Sequence, residues 1–399
     1  MTLTQRERHK GNSLKVAVIK LGARITDTGG AVAPGEAISI CKALTRGGAE
    51  VHVFTKILKK DTLDPSITWH DILDTSYPDI NGVADTLVVV NGNVNFFGGG
   101  EDEAQIANYR MINNFRGRVV YIMCDPELPL QQIWESVAKK EWGSKYSKED
   151  ILVTRKDIHV LSQPFALDAM KKHWPAKAVQ PASFFHFPMD RFPLLNEWLA
   201  PAEAPTIDLM YGGTPRGGRR IPNLYKWYWN LPKDISVEIF GSIDGSDFVK
   251  HPKLDVTQLG DEYFTKTGLG LTAPTFAGKV KYDQVLPKMN SALAHLVTGD
   301  GSYENLDIIP QRVAECFAAG NIVFVDANMD KSRRIYPVGS MAHDFLYVKT
   351  QAELVDRLRI IKTDQSQSIR HDLLVAQELA TNFKANEFCQ NLVATLEAL

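Results

Sequence analysis

The stretch Ile207-Asp208-Leu209-Met210-Tyr211-Gly212-Gly213-Thr214-Pro215-Arg216-Gly217-Gly218-Arg219-Arg220 decides how the chain is read. An apolar run that breaks into paired glycines is a strand ending in a turn. Its backbone can approach an anion closely, because glycine has no Cβ and tolerates positive φ. The arginines that follow are planar forks able to grip phosphate oxygens bidentately. Ile221 to Asn230 reads as a helix, whose free N–H groups then face the same anion. The spacing fits neither the G-x-G-x-x-G fingerprint nor the phosphate loop of nucleoside triphosphatases. Two readings fit these residues: a diphosphate site, or a solvated basic turn.

Working outward, the same strand-then-helix rhythm runs on both sides of this stretch. Before it come the strands Leu14–Leu21, Glu50–Phe54, Thr86–Val90, Val119–Met123 and Ile158–Ser162, with helices from Glu36 to Gly47-Gly48, over Glu103–Phe115 and over Ala166–His173. After it come strands Val237–Phe240, Ala292–Val297 and Ile322–Val325. The helices of this half are Tyr282–Asn290, Pro310–Ala319, Ala352–Ile361, Ser366–Thr381 and Glu387–Leu399. Continuous apolar strands alternating with helices predict parallel sheets covered on both faces, an α/β architecture. Between about Phe185 and Pro205 the text changes to Phe187-Pro188, Phe192-Pro193, Ala200-Pro201 and Ala204-Pro205, which reads as a connection between two α/β halves. Ligands of open α/β sheets bind at the carboxyl ends of strands, so the loops starting at Gly22, Asn91, Cys124, Gly212, Gly241 and Gly299 are the ones to inspect.

Composition sets the outer bounds. The chain has 399 residues and a formal net charge of -2, so contact with nucleic acid has to come from a local basic face. Its four cysteines are scattered without a C-x-x-C pair or a zinc-like spacing, which predicts reduced thiols in a cytoplasmic protein. The N-terminus lacks an apolar signal region, and no run reaches transmembrane length, so no membrane partner is expected.

Several loop residues are chemically distinctive. Glu36 stands at a helix start, where it is either a functional acid or an acid stabilised by the helix dipole. Asn91-Gly92-Asn93-Val94-Asn95-Phe96-Phe97-Gly98-Gly99-Gly100 sets two phenylalanines among amides and glycines; they offer a stacking surface for a base or an anchor in the core. Asp125, beside Pro126 at a strand end, reads as a general base or as a turn cap. Arg312 and Glu315 share a helix face after Asp300-Gly301-Ser302-Tyr303. The glutamate can accept both hydroxyls of a ribose while the arginine reaches a phosphate, or the two form a plain ion pair.

These segments together resemble the DNA β-glucosyltransferases of T-even phages. The likeness rests on Val88-Val89-Val90-Asn91 through Asn95-Phe96-Phe97-Gly98-Gly99, on Asp125 with Leu128-Pro129 and Trp134, and on Asp208 through Tyr211-Gly212-Gly213 with Arg216 and Arg220. It continues through Phe240-Gly241, Gly278-Lys279-Val280, Gly299-Asp300, Tyr303, and Arg312 with Glu315. The resemblance implies a GT-B fold: two Rossmann-like domains facing each other across a deep cleft. Residues 1–188 would form the first domain, with 383–399 returning to it, and residues 189–382 the second.

It also implies roles. Asp125 is the expected catalytic base and Glu36 a second acid near the sugar. Arg216 and Arg220, with the Gly213-Thr214 backbone, form the expected diphosphate clamp. Arg312 adds a phosphate ligand, Glu315 takes the ribose hydroxyls, and Lys279-Val280 reads the uracil. Gly241, Asp300 and Tyr303 complete this donor site, and Asn95, Phe96, Phe97 and Gly98 border the DNA. The implied activity is inverting transfer of glucose, or a related sugar, from a UDP-sugar such as UDP-glucose to the hydroxymethyl group of 5-hydroxymethylcytosine in double-stranded DNA, with the base flipped out. Mg²⁺ or Mn²⁺ can assist in relatives, but the sequence holds no dedicated carboxylate cage. A monomer in the cytoplasm of a phage-infected bacterial host is expected.

The chain departs from the family pattern in Pro215 for an aromatic residue, Gly35 for a serine, enlarged loops at Asp61–Asn81 and Gly241–Thr272, and the acidic run Glu101-Asp102-Glu103. Hydroxymethyluracil as acceptor base, another UDP-sugar, and a UDP-sugar transferase or epimerase that does not act on DNA remain open. So does a nucleotide-responsive DNA-binding protein without catalysis, against which the joint presence of Glu36 and Asp125 argues.

Overall fold

Val16 to Ile19 are fully buried, and this run forms the centre of strand β1 (Lys15–Lys20), around which the first sheet is laid. In chain order follow α1 (Gly35–Arg46), β2 (Glu50–Thr55), β3 (Thr68–Asp71), α2 (Ile80–Val83), β4 (Thr86–Val90), α3 (Asp102–Asn114), β5 (Arg118–Ile122), β6 (His159–Ser162) and β7 (Val179–Pro181). The computed structural model describes residues 13–20, 35–55, 57, 65–72, 74, 78–90, 102–122, 155–162, 179–181, 199–213, 220–241, 271–272, 274–281, 284–299, 301–306, 309–310, 312–380 and 385–399. Among the described residues the first sheet has the order β3-β2-β1-β4-β5-β6-β7, with every pairing parallel. Strand β4 is buried along its whole length, as its Thr-Leu-Val-Val-Val text requires of a strand covered on both faces.

The second sheet starts at β8 (Ile207–Gly212). It continues through α4 (Ile221–Tyr228), β9 (Leu231–Pro232), β10 (Val237–Phe240), β11 (Leu271–Thr272), β12 (Thr275–Gly278), α5 (Val285–Asn290) and β13 (Ala292–Val297). Then come α6 (Gly301–Leu306), α7 (Arg312–Ala318), β14 (Ile322–Asp326), α8 (Met341–Leu346), β15 (Tyr347–Val348), α9 (Gln351–Thr363), α10 (Ser368–Ala380) and α11 (Ala385–Ala398). Its order is β12-β10-β8-β13-β14-β15, again parallel, with β9 and β11 in a separate antiparallel pair. Both sheets therefore have the doubly wound pattern, in which successive strands run outward one way and then the other from the first strand.

The chain divides into two compact units, with the boundary at Phe184/Phe185 and a return to the first unit at Asn386. Within that first unit Arg118 donates from Nη1 to the carbonyl of Leu396 in α11, and Leu392 and Leu396 are buried. Helix ends follow local chemistry. Asp364 accepts from the Ser366 hydroxyl (2.6 Å) and from the backbone N–H of Ile369 (2.7 Å) and of Ser366 (3.1 Å), ordering the turn into α10, and these bonds, the hydroxyl's foremost, hold its carboxyl below the usual range.

Some segments differ from the sequence reading. The stretch read as an enlarged loop at Asp61–Asn81 contains β3 and the start of α2. β3 reads Thr-Trp-His-Asp, and an edge strand covered by one neighbour needs no apolar run to form. β12 and α6 were equally silent, because one alternates exposed and half-buried positions and the other spans only six residues. The helix expected at Ala166–His173 lies outside the described residues.

Candidate functional site

In the second sheet the strand order reverses between β8 and β13, so the crevice beyond their carboxyl ends is the expected ligand position. Four strand ends meet this edge at glycines or beside them. Gly213 donates its N–H to Phe240 O (2.9 Å), and Gly241 donates to Gly278 O (2.8 Å). Gly241 has φ +130, and a Cβ placed there would lie 1.9 Å from the carbonyl oxygen of Gly213. Only glycine permits both the conformation and the approach. Gly212 is packed as closely, since a Cβ would fall 2.3 Å from the Phe240 ring. The neighbouring end of β12 is open instead: Gly278, at φ +70, has nothing within 4 Å of an added Cβ. Lys279 is exposed and Val280 half-buried immediately beyond it.

Arg220 immediately precedes α4 and is half-buried, so it is not a fully solvated basic residue. Its Nη1 donates to the Tyr211 hydroxyl (3.5 Å), and its guanidinium carbon lies 5.8 Å from the centre of the Tyr303 ring. Tyr303 is 2% exposed and sits in α6, just past Gly299, where a Cβ would fall 2.6 Å from that of Tyr303. The arginine is thus laid across one end of the switch-point crevice, with β8 on one side and the β13–α6 turn on the other.

Helix α4 is fastened in place at three levels. Asn223 donates from Nδ2 to Gly299 O (2.6 Å) and to Glu304 Oε1 (3.0 Å). Trp227 donates from Nε1 to Asp326 Oδ2 (2.9 Å), a buried carboxylate at the end of β14. Tyr228 donates its hydroxyl to Leu296 O (2.7 Å), and burial raises that phenol far above its ordinary range, keeping it a donor. None of Asn223, Trp227 and Asp326 was singled out from the sequence. An asparagine one turn after a clamp arginine has no spacing signature, and its partners lie 76 and 81 residues away.

Arg312 and Glu315 form the ion pair that their spacing allowed, with Nη1 to Oε2 at 2.5 Å. The glutamate is 5% exposed at its side chain and the arginine 27%. Behind them Cys316 is buried, and burial pushes its thiol up, which leaves it inert as a nucleophile.

The first sheet reverses between β1 and β4, and the register aligns Lys20 with Val90 and Val90 with Ile122. The segments carrying Glu36, the Asn91–Gly100 run and Asp125 therefore all leave from one row of strand ends. Glu36 is the second residue of α1. Asn108 on α3 donates to Lys20 O (3.2 Å), tying that helix to the same edge. Asp125, Asn95, Phe96, Phe97, Gly98, Thr214, Arg216 and Asp300 lie outside the described residues, as does the side chain of Glu36. Among the described residues no group of three or more His, Cys, Asp or Glu could hold a metal ion. Also among them, no helix is long and apolar enough to cross a membrane.

The resemblance expected from the residues is borne out by comparison with known proteins. Residues 14–193 match the family model described as bacteriophage T4 beta-glucosyltransferase. The DNA beta-glucosyltransferase of Enterobacteria phage T4 is 28% identical over 368 residues, covering 90% of this chain and 94% of its own. A structure of the T4 phage enzyme in complex with UDP and Mn²⁺ superposes with a TM-score of 0.72 at 26% identity, over 96% of this chain and 99% of the other. An alpha-glucosyltransferase in complex with UDP and a DNA containing an HMU base shares the fold, with a TM-score of 0.55 at 13% identity, over 96% of this chain and 100% of the other. The chain has the two-domain α/β GT-B fold.

Proposed function

Taking its likeness to the phage T4 DNA β-glucosyltransferase along nearly the whole chain as premise, we propose that the protein is an inverting, UDP-sugar-dependent DNA glucosyltransferase. The donor is UDP-glucose, and the acceptor is the hydroxymethyl group of 5-hydroxymethylcytosine in double-stranded DNA. The observation that carries this reading is the placement of Arg220 across the switch point of the second sheet, between Tyr211 and Tyr303, beside strand ends closed by glycine. That is a cationic edge of the kind a nucleoside diphosphate needs.

On this reading residues 189–382 bind the donor and residues 1–188, with 383–399, bind the acceptor. Asp125 takes the proton of the hydroxymethyl group as its oxygen attacks the anomeric carbon. The bond from that carbon to the diphosphate breaks on the opposite face, UDP departs with the electron pair, and the centre is inverted. Arg216, Arg220 and Arg312 stabilise the charge gathering on the diphosphate, a preorganised electrostatic contribution. Glu315 orients the ribose, Lys279-Val280 the uracil, and Gly213, Thr214, Gly241, Asp300 and Tyr303 line the same pocket. Glu36, in the first turn of α1, contacts the sugar. The base is flipped from the duplex at a cost of a few kcal/mol, which contacts from Asn95, Phe96, Phe97 and Gly98 offset. A divalent ion bound with UDP would add positive charge at the same oxygens.

The test is incubation of hydroxymethylated DNA, cytosine and uracil forms separately, with a panel of UDP-sugars, followed by mass spectrometry of the nucleosides. Glucosylated hydroxymethylcytosine is expected. Asp125→Ala should keep UDP binding and lose transfer by roughly a thousandfold or more, in the range of a lost catalytic base. Turnover retained in that variant would remove Asp125 from the mechanism.

A further inference from the structure

We propose that Asn223 is a positioning residue for the donor diphosphate, acting through Arg220 and Tyr303. The inference rests on the donor-site reading above and adds to it the device that holds the clamp together. Arg220 precedes α4 and Asn223 lies one turn into it, while Tyr303 belongs to a different segment, the Gly299–Leu306 turn and helix. Nothing in local sequence fixes these two segments to one another. The carboxamide of Asn223 does so with both of its N–H bonds. One reaches the carbonyl of Gly299, where β13 ends, and the other reaches the Glu304 carboxylate one residue beyond Tyr303. The turn is gripped on both sides of the ring over which the Arg220 guanidinium lies.

The residue type matters to the chemistry. Both acceptors carry negative charge or partial charge, and an amide satisfies them without adding a net charge beside the diphosphate. A carboxylate at position 223 would oppose Glu304 and the Gly299 carbonyl. A lysine would satisfy them but add a mobile cation that competes for Glu304 in place of a fixed bond. An aliphatic residue would remove both hydrogen bonds that tie α4 to the turn, so that Tyr303 and Arg220 must be brought together at the expense of nucleotide binding. The expected signature is therefore in donor affinity, not in the chemical step.

The experiment measures UDP binding by calorimetry, and KM for UDP-glucose and kcat on hydroxymethylated DNA, for the full-length parent and four variants. Asn223→Ala should bind UDP about tenfold more weakly and raise KM for UDP-glucose by a similar factor, with kcat and KM for DNA within about twofold, one hydrogen-bonding side chain being involved. Glu304→Ala, which removes that acceptor, should raise the UDP dissociation constant by a smaller factor, because the bond to Gly299 survives. Asn223→Asp should bind more weakly than Asn223→Ala, and adding Glu304→Gln to it should recover part of the loss, since the glutamine amide can donate to the new carboxylate. An Asn223→Ala protein that binds UDP as the parent does overturns the proposal, and so does a fall in kcat with KM unchanged. Should Asn223→Ala not be recovered folded, Glu304→Ala decides alone: parental UDP affinity overturns the proposal and weakened affinity supports it. A parent that binds no UDP at all would instead overturn the donor-site reading, which keeps the two failures distinct.

Discussion

At the amino end of the second sheet Asp208 accepts from the backbone N–H of Ser236 (2.7 Å) and from the Lys362 ammonium (2.8 Å). Deeper in, His295 donates from Nδ1 to Met210 O (3.0 Å) and accepts at Nε2 from Asn321 (3.0 Å), whose amide also reaches Met289 O (2.5 Å). Gln377 accepts from Val323 N–H (2.9 Å) and donates to Asn321 O (2.9 Å). At the carboxyl end of the same sheet the polar side chains do something different. Arg220 and Arg312 touch a tyrosine hydroxyl, a ring face and one glutamate, groups that a bidentate phosphate contact can replace or supplement. The strand ends there close on each other through glycine backbone. One end thus spends its hydrogen bonds on the fold, and the other presents cations at a switch point. Damage to the first should appear as lost stability, and damage to the second as lost affinity.

The most severe break is Gly241→Ala, which joins the two effects. A side chain at φ +130 that meets a backbone carbonyl at 1.9 Å must displace the end of β8 or β10, at about 3 kcal/mol or more. Thermal unfolding should shift down by several degrees and UDP binding should fall with it; a parental melting temperature would show that the glycine contact is not required. Next, Asn321→Leu strips donors from His295 and Met289 O in a fully buried setting, at roughly 2–3 kcal/mol. Denaturant titration should register that loss, while the folded fraction binds UDP with parental affinity. Loss of UDP affinity in the folded protein would erase the distinction between the two ends.

Arg220→Ala should have the opposite profile, about 2 kcal/mol of UDP binding by calorimetry, or some thirtyfold, with little change in melting temperature. A second probe of the first end is pH. Burial lowers the pKa of His295 to about 4, so the folded protein holds it neutral. Its contribution is intact above the unfolded pKa near 6.5 and is lost as pH falls from there towards 4, by at most about 1.4 kcal/mol per pH unit. Urea titrations at pH 6.5 and 4.5 should show a steeper loss in the parent than in His295→Gln.

Much of this was legible in the text of the chain. β13, read as Ala292–Val297, is found there because six consecutive buried residues leave no other reading. Gly212 and Gly241 marked strand ends for the same reason that they occupy them: a chain that must turn sharply against a neighbouring backbone uses the residue without a Cβ. The Arg312–Glu315 contact followed from helical spacing alone. β3 was missed because its pairing partner, β2, supplies what its own sequence lacks, and Asn223 because its partners are distant in sequence.

The sequence by itself determined the α/β alternation, the two halves, and the identity of the cationic and acidic loops, since these depend on periodicity and on local backbone chemistry. Only the tertiary structure decided which loops share an edge. Strand order, with its reversal between β8 and β13, is set by packing between segments some eighty residues apart. So is the grip of Asn223 on the Gly299–Glu304 turn, a long-range contact whose chain-entropy cost is met only when the whole sheet closes.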